Sequence, residues 1–264
     1  MTILNEIFET KRHRINDAKR VTDISALQLS ARELRRRSEP HRFRTALETP
    51  DGINIIAEFK KVSPSKGVIN DTIGPADAAR QYERGGARAI SVLTEEDYFK
   101  GSLADLKEIR DAVSIPILRK DFICDEFQIY EAAAAGADAI LLIVAALSEG
   151  RLRALRSLAE DELGIDALVE VHTEDEMQVA CDAGARLIGV NNRDLKTFNV
   201  SLDVARGLIV EAAAGTTLVA ESGITSRGEI DELAGLGYTG FLIGETLMRS
   251  GDPEAALREL VGAF

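Results

Sequence analysis

Tryptophan is absent from this chain of 264 residues, and cysteine, histidine and proline are scarce at two, three and six copies. Each scarcity excludes something. Cys124 and Cys181, only two and in no Cys-x-x-Cys pair, suit a reducing, cytoplasmic setting better than a disulfide framework, and packing roles are expected. His13, His41 and His172 show no metal-ligand spacing. No run nears the ~20 apolar residues of a membrane span. The opening MTILNEIFETKRHR also lacks the apolar core of a secretion signal. Positive charge is in deficit: 32 Lys and Arg against 44 Asp and Glu give a net charge of −12. A nucleic acid would be repelled, whereas a small anion in a pocket with its own local cations would not.

What is present is a repeat. GGARAISVL from Gly85, AGADAILLI from Ala135, AGARLIGVN from Ala183 and LGYTGFLIG from Leu236 each read as a helix-ending glycine, a short connector and an apolar strand. Four further strands fall between them: INIIAEFK from Ile53, SIPILRK from Ser114, GIDALVEV from Gly164 and TTLVAES from Thr216. Helical periodicity fills the gaps, as in PADAARQYERG, EGRLRALRSLAEDELG, SLDVARGLIVEAAAG and DPEAALRELV. Strands alternating with helices imply a parallel sheet, and eight such units close into a single (β/α)8 TIM barrel of ~250 residues. The even spacing, and the lack of any Gly-x-Gly-x-x-Gly turn, disfavour an open doubly wound sheet. Residues 1–48 precede the first strand and read as a helical N-terminal extension packing on the barrel, with 49–264 the catalytic domain. The basic run Arg35–Arg37 is expected on a solvated helix face.

Alternate residues of a strand face one side, so the charges at strand ends can be placed. Glu58 and Lys60 share a parity with Ile56, Lys120 with Leu118, Glu170 with Leu168, and Glu221 with Val219. Gly189, Asn191 and Arg193 form another such series. A barrel interior is filled by side chains, and chemistry sits at its C-terminal mouth. Unpaired charges there would be costly, so these groups must meet one another or a ligand. The glycines of AESGI and LIGETLM, Gly223 and Gly244, with the backbone of Glu245, suit a phosphate after strands 7 and 8.

The ordered blocks IIAEFKKVSPSKG, ILRKDFICDEFQIYEA, ALVEVHTEDEM, IGVNNRDLKTF, VAESGI and FLIGETLM resemble the successive signatures of the indole-3-glycerol-phosphate synthase family, over essentially the whole chain. The resemblance implies a lyase of tryptophan biosynthesis. Its substrate would be 1-(2-carboxyphenylamino)-1-deoxyribulose 5-phosphate, closed to indole glycerol phosphate with loss of carbon dioxide and water. No cofactor and no metal are implied. Lys120 matches the family's general acid, and Glu58 or Glu170 would keep it protonated by raising its pKa. Glu170, Lys60 and Glu58 would supply the second acid and the base, without individual assignment.

Asn191 and Arg193 resemble the groups that hold the anthranilate and hydroxyl groups. Ser63, Ser65, Glu221 and Ser222 match pocket residues, with Ser222 and Gly223 on the phosphate side, where Lys60 also reaches. Phe99, Phe122 and Leu195 correspond to apolar walls. Glu245 stands where a small residue often follows the strand-8 glycine. His172 is expected in a hydrogen-bonded structural role. A phosphoribosylanthranilate isomerase would instead carry Cys at the end of strand 1 and Asp at strand 6, and a non-catalytic barrel would have no use for so many mouth charges. The chain is expected to act as a monomer, with neither nucleic acid nor membrane as partner.

Overall fold

The computed structural model describes residues 3–50 and 52–262. Three helices come first: α1 (Ile3–Val21), α2 (Ile24–Arg36) and α3 (Arg42–Leu47). Eight parallel strands then close a barrel in sequence order, the last pairing with the first. They are β1 (Asn54–Phe59), β2 (Ala89–Leu93), β3 (Ile117–Lys120), β4 (Ala139–Ile143), β5 (Asp166–Val171), β6 (Leu187–Asn191), β7 (Thr217–Glu221) and β8 (Gly240–Ile243). Outside them run α4 (Pro75–Gly85), α5 (Leu103–Ala112), α6 (Glu126–Ala134), α7 (Glu149–Ser157), α8 (Glu174–Asp182), α9 (Asp203–Leu208), α10 (Arg227–Leu236), α11 (Glu245–Arg249) and α12 (Pro253–Val261). Side-chain caps start several of them: Ser102, Asp125, Ser148, Thr173, Ser226 and Asp252 each accept a backbone N–H of the first turn.

Strand parity divides the interior into levels. At the strand starts lie Asn54, Asp166 and Thr217, polar and buried, and α3 closes this end with Phe43 and Leu47, both fully buried. The next level is apolar: Ile56, Leu118, Leu168, Leu187, Val219 and Leu242 form one cluster with Ala89, Leu141 and Ile143. Above it the in-phase positions become Glu58, Lys120, Glu170, Asn191 and Glu221. The same cluster takes in Leu4 and Phe8 of α1, and Leu4 and Ile7 border one cavity with Glu58, Lys120 and Glu170, so this helix lies over the mouth.

Three local readings are corrected. Arg35 is not solvated: it is 7% exposed, and its guanidinium donates to the carbonyls of Leu163, Ala137 and Gly164 and to Asp138 Oδ1 (3.4 Å). Helix α2 turns Ala31 and Arg35, four residues apart, towards the barrel, and carbonyls shielded from water there need a donor. Arg36 and Arg37 are exposed. The helix expected over 149–164 ends at Ser157 and widens into a π turn, Leu158–Glu162. That expected over 201–215 stops at Leu208 with a 3-10 turn, Ile209–Glu211, because the alanines beyond it have little apolar surface to bury.

Candidate active site

Lys120 occupies the last position of β3, and its Nζ lies between two carboxylates: 3.0 Å from Glu170 Oε2 on β5 and 2.5 Å from Glu221 Oε2 on β7. Beside them Lys60 Nζ sits 2.5 Å from Glu58 Oε1, and Ser91 donates to Glu58 Oε2 at 3.5 Å. Glu58, rather than touching Lys120, acts on it through space, and Glu221 takes the second contact position. Burial opposes charge on Lys120, but Glu170, Glu221 and Glu58 outweigh it and hold the ammonium well above the usual lysine range. The two carboxylates are pushed apart. Burial would raise Glu170, yet Lys120 and His172 reverse this and hold it well below the ordinary range. Burial raises Glu221, and Lys120 only partly offsets it. Such divergence between neighbouring titratable groups is what acid–base chemistry requires.

Two glycines make room for these side chains. A β-carbon at Gly189 on β6 would overlap Glu221 Oε1. One at Gly244 would lie 2.6 Å from Glu58 Oε1 and 3.0 Å from its Cβ. Strand parity marks Gly189 as inward-facing, but only the packing reveals the space that it leaves.

An apolar wall faces the charges. The Phe122 ring meets Phe8 of α1 edge-on at 5.6 Å between centroids and Phe99 at 5.9 Å. Glu95 fixes the Phe99 loop by accepting the backbone N–H groups of Asp97, Tyr98 and Phe99. Asp121, next to Lys120, accepts from Phe122 N, Thr94 Oγ1 and Arg119 Nη2 and pairs with Lys11 Nζ of α1 at 2.9 Å. Burial alone would raise Asp121, but Arg119 and Lys11 bring it down to about 2.

The cavity so formed, together with the open space at its mouth, measures about 1000 Å³. An adjoining cleft of about 1270 Å³ lies over β7 and β8. Ser222 and Gly223 enter it with φ of 64° and 82°, a turn that aims the chain across the strand ends. Gly244, Thr225 and Thr246 line the same cleft, which Lys60, Lys66, Arg193 and Arg249 fringe with positive charge. Glu245 pairs with Arg249 at 3.1 Å and lies 4.0 Å from Lys66. Arg193 is tied by its N–H to Asn191 Oδ1 (3.0 Å) and by Nη1 to the Phe198 carbonyl (3.3 Å).

Every residue proposed for the site from sequence lines one or both spaces. Glu58, Lys60, Ser63, Ser65, Phe99, Lys120, Phe122, Glu170, Asn191, Arg193, Leu195, Glu221, Ser222 and Glu245 line the cavity, and Gly223 and Gly244 line the cleft. Sequence reasoning missed Ile3, Leu4 and Ile7, which α1 adds to the wall, and also Pro64 and Phe198. It also missed His172 as a neighbour of Glu170, at 3.4 Å between Nε2 and Oε1. The two-residue spacing of Glu170 and His172 carried that signal, but His172 lies beyond the end of the strand, where parity no longer fixes direction.

A closed parallel barrel whose mouth gathers lysines and carboxylates beside a glycine-lined cleft is an enzyme of the (β/α)8 class. Solved structures agree on the fold. The chain superposes on 3-hexulose-6-phosphate synthase from Salmonella typhimurium with a TM-score of 0.64 at 15% identity, covering 80% of this chain and 97% of that one. The family model for indole-3-glycerol phosphate synthase matches residues 4–260. Curated proteins of that name are 45% identical in Desulfosudis oleivorans (98% of each chain covered) and 47% identical in Carboxydothermus hydrogenoformans (98% of this chain, 99% of that one). The chain belongs to the indole-3-glycerol phosphate synthase family.

Proposed function

We propose that this chain is an indole-3-glycerol-phosphate synthase, closing the five-membered ring of 1-(2-carboxyphenylamino)-1-deoxyribulose 5-phosphate. The observation that carries the reading is Lys120 Nζ, held protonated between Glu170 and Glu221 at the floor of an aromatic-walled cavity. The ring carbon that bears the carboxylate attacks the ketone carbon. A carbon–carbon bond forms, and the ketone oxygen takes a proton from Lys120 and becomes a hydroxyl. Breaking the bond to the carboxylate releases carbon dioxide and returns its electron pair to the ring. The hydroxyl then departs as water with a proton from a second acid, while a base removes a proton from the adjacent carbon. Lys60, Glu58 and Glu170 supply these two functions, Glu170 being the residue held most firmly ionised among the carboxylates that touch Lys120.

Phe99, Phe122 and Leu195 stack the aromatic ring, with Ser63 and Ser65 beside it. The Arg193 fork suits the anthranilate carboxylate, and Asn191 the hydroxyls. The phosphate lies in the cleft at Ser222, Gly223 and Gly244, drawn by Lys60 and the cationic fringe. Holding both ends of one molecule brings the reacting carbons together, which is worth several orders of magnitude in rate. In this reading the protein works in the cytoplasm as a monomer, without nucleic acid. No helix among the described residues is long and apolar enough to cross a membrane.

The test is direct. Purified protein and the phosphorylated ribulose substrate should yield a product with indole fluorescence, together with carbon dioxide. No fluorescence and no carbon dioxide would overturn the assignment.

A further inference from the structure

Two buried carboxylates of the mouth share one lysine. Glu58, Glu170 and Glu221 are each 3% exposed or less, and the lysines in contact with them are Lys60 and Lys120. Lys120 is shared between Glu170 and Glu221, so Glu170, whose ionisation burial opposes, gains from a cation of its own. The cation that faces Glu170 from its other side is His172. Its Nε2 lies 3.4 Å from Glu170 Oε1, the oxygen that Lys120 does not occupy, while Lys120 takes Oε2.

The imidazole is anchored on its other side. Nδ1 lies 3.1 Å from Glu176 Oε2, and the same oxygen accepts the His172 backbone N–H at 2.7 Å. Thr173 caps α8 by accepting the Glu176 N–H, which fixes the start of the helix that carries this anchor. The charged groups lining the space outside the ring are Glu174 and Asp175, and Asp203 of α9 across a surface cleft. All are anionic, and no lysine or arginine lines that cleft among the described residues. Charge therefore favours the imidazolium from both sides. Burial works against it, but Glu170 and Glu176 prevail and push His172 up to about 10. His172 does not line the reaction cavity, so it acts through Glu170 and not on a substrate.

We infer that His172 is a positioning residue for Glu170: an imidazolium anchored by Glu176, it fixes the carboxylate against Lys120 from behind the cavity wall. This rests on the proposed synthase reading only for its effect on turnover. The arrangement also explains the order Glu-x-His-Thr-x-x-Glu at the end of β5. The first glutamate faces the cavity, the histidine backs it, the threonine starts the helix, and the last glutamate anchors the histidine.

Two measurements test the inference. In the wild-type protein without substrate, the imidazole NMR signals of His172 should report a doubly protonated ring at pH 7.5. In Glu176→Gln the ring should lose its proton at lower pH than in the wild type. A neutral His172 ring at pH 7.5 would overturn the proposal whether or not the protein forms indole. In His172→Gln, which keeps a donor but no charge, kcat should fall on the order of tenfold with KM within about threefold. A kcat within about twofold of wild type would equally overturn it. If the wild-type protein itself forms no indole, the synthase reading fails while the imidazole titration still stands as a separate result.

Discussion

Gly189 and Glu221 occupy one volume between them: a side chain on the first would displace the carboxylate of the second. The register places Gly189 beside Val219 on β7, with Glu221 two residues further along towards the mouth. Gly189→Ala should therefore move Glu221 away from Lys120. Because misplacement by about 1 Å can cost on the order of a hundredfold in rate, kcat is expected to fall by about that factor while the barrel stays folded. Steady-state indole fluorescence with circular dichroism checks both halves; a variant as active as wild type would show that Glu221 does not need its present position.

Lys120→Ala removes the cation shared by Glu170 and Glu221. Turnover should drop on the order of a thousandfold. Inorganic phosphate, which would bind in the cleft away from Lys120, should keep its affinity in calorimetry. Without the ammonium, both carboxyls should ionise at higher pH than in the wild type, since burial is then less opposed. Retained turnover would remove Lys120 from the acid role.

Acid should act through Asp121. Its folded-state pKa is about 2, below the ordinary 3.8, so its contribution is present above pH 4 and lost as pH falls from about 4 to 2. The depressed Glu170 acts in the same direction. Asp121→Asn should flatten that part of the stability curve by on the order of 2 kcal/mol, measured by urea unfolding across pH. An unchanged slope between pH 4 and 2 would contradict the pairing with Lys11 and Arg119.

Arg35 and Arg36 should respond very differently to truncation. Arg35→Ala leaves shielded carbonyls without donors and is expected to cost about 3 kcal/mol. Arg36→Ala, at an exposed position, should change stability by less than about 0.5 kcal/mol. Equal effects in urea titrations would mean that the buried guanidinium is not what holds α2.

How far the sequence could be read depended on periodicity. Every barrel strand was legible, because each is a short apolar run set between helical segments, and parity then pointed Glu58, Lys120, Glu170 and Glu221 inward. Parity fails where a strand ends, which is why His172 was read only as a hydrogen-bonding residue. The burial of Arg35 was hidden for a related reason: three consecutive arginines look alike until a helix axis is docked and one of them faces the barrel. The contribution of Ile3, Leu4 and Ile7 to the cavity depends on where α1 crosses the mouth, and no local pattern in the helix encodes that.

The position of α1 also bears on how the protein is made. Its partners Glu96, Asp121 and Phe122 lie about a hundred residues downstream, and α3 closes a ring whose last strand is β8. These helices leave the ribosome before the surfaces they cover exist. Synthesis from the N-terminus thus presents Leu4, Phe8, Phe43 and Leu47 before the strands that bury them, and their burial waits on those later segments.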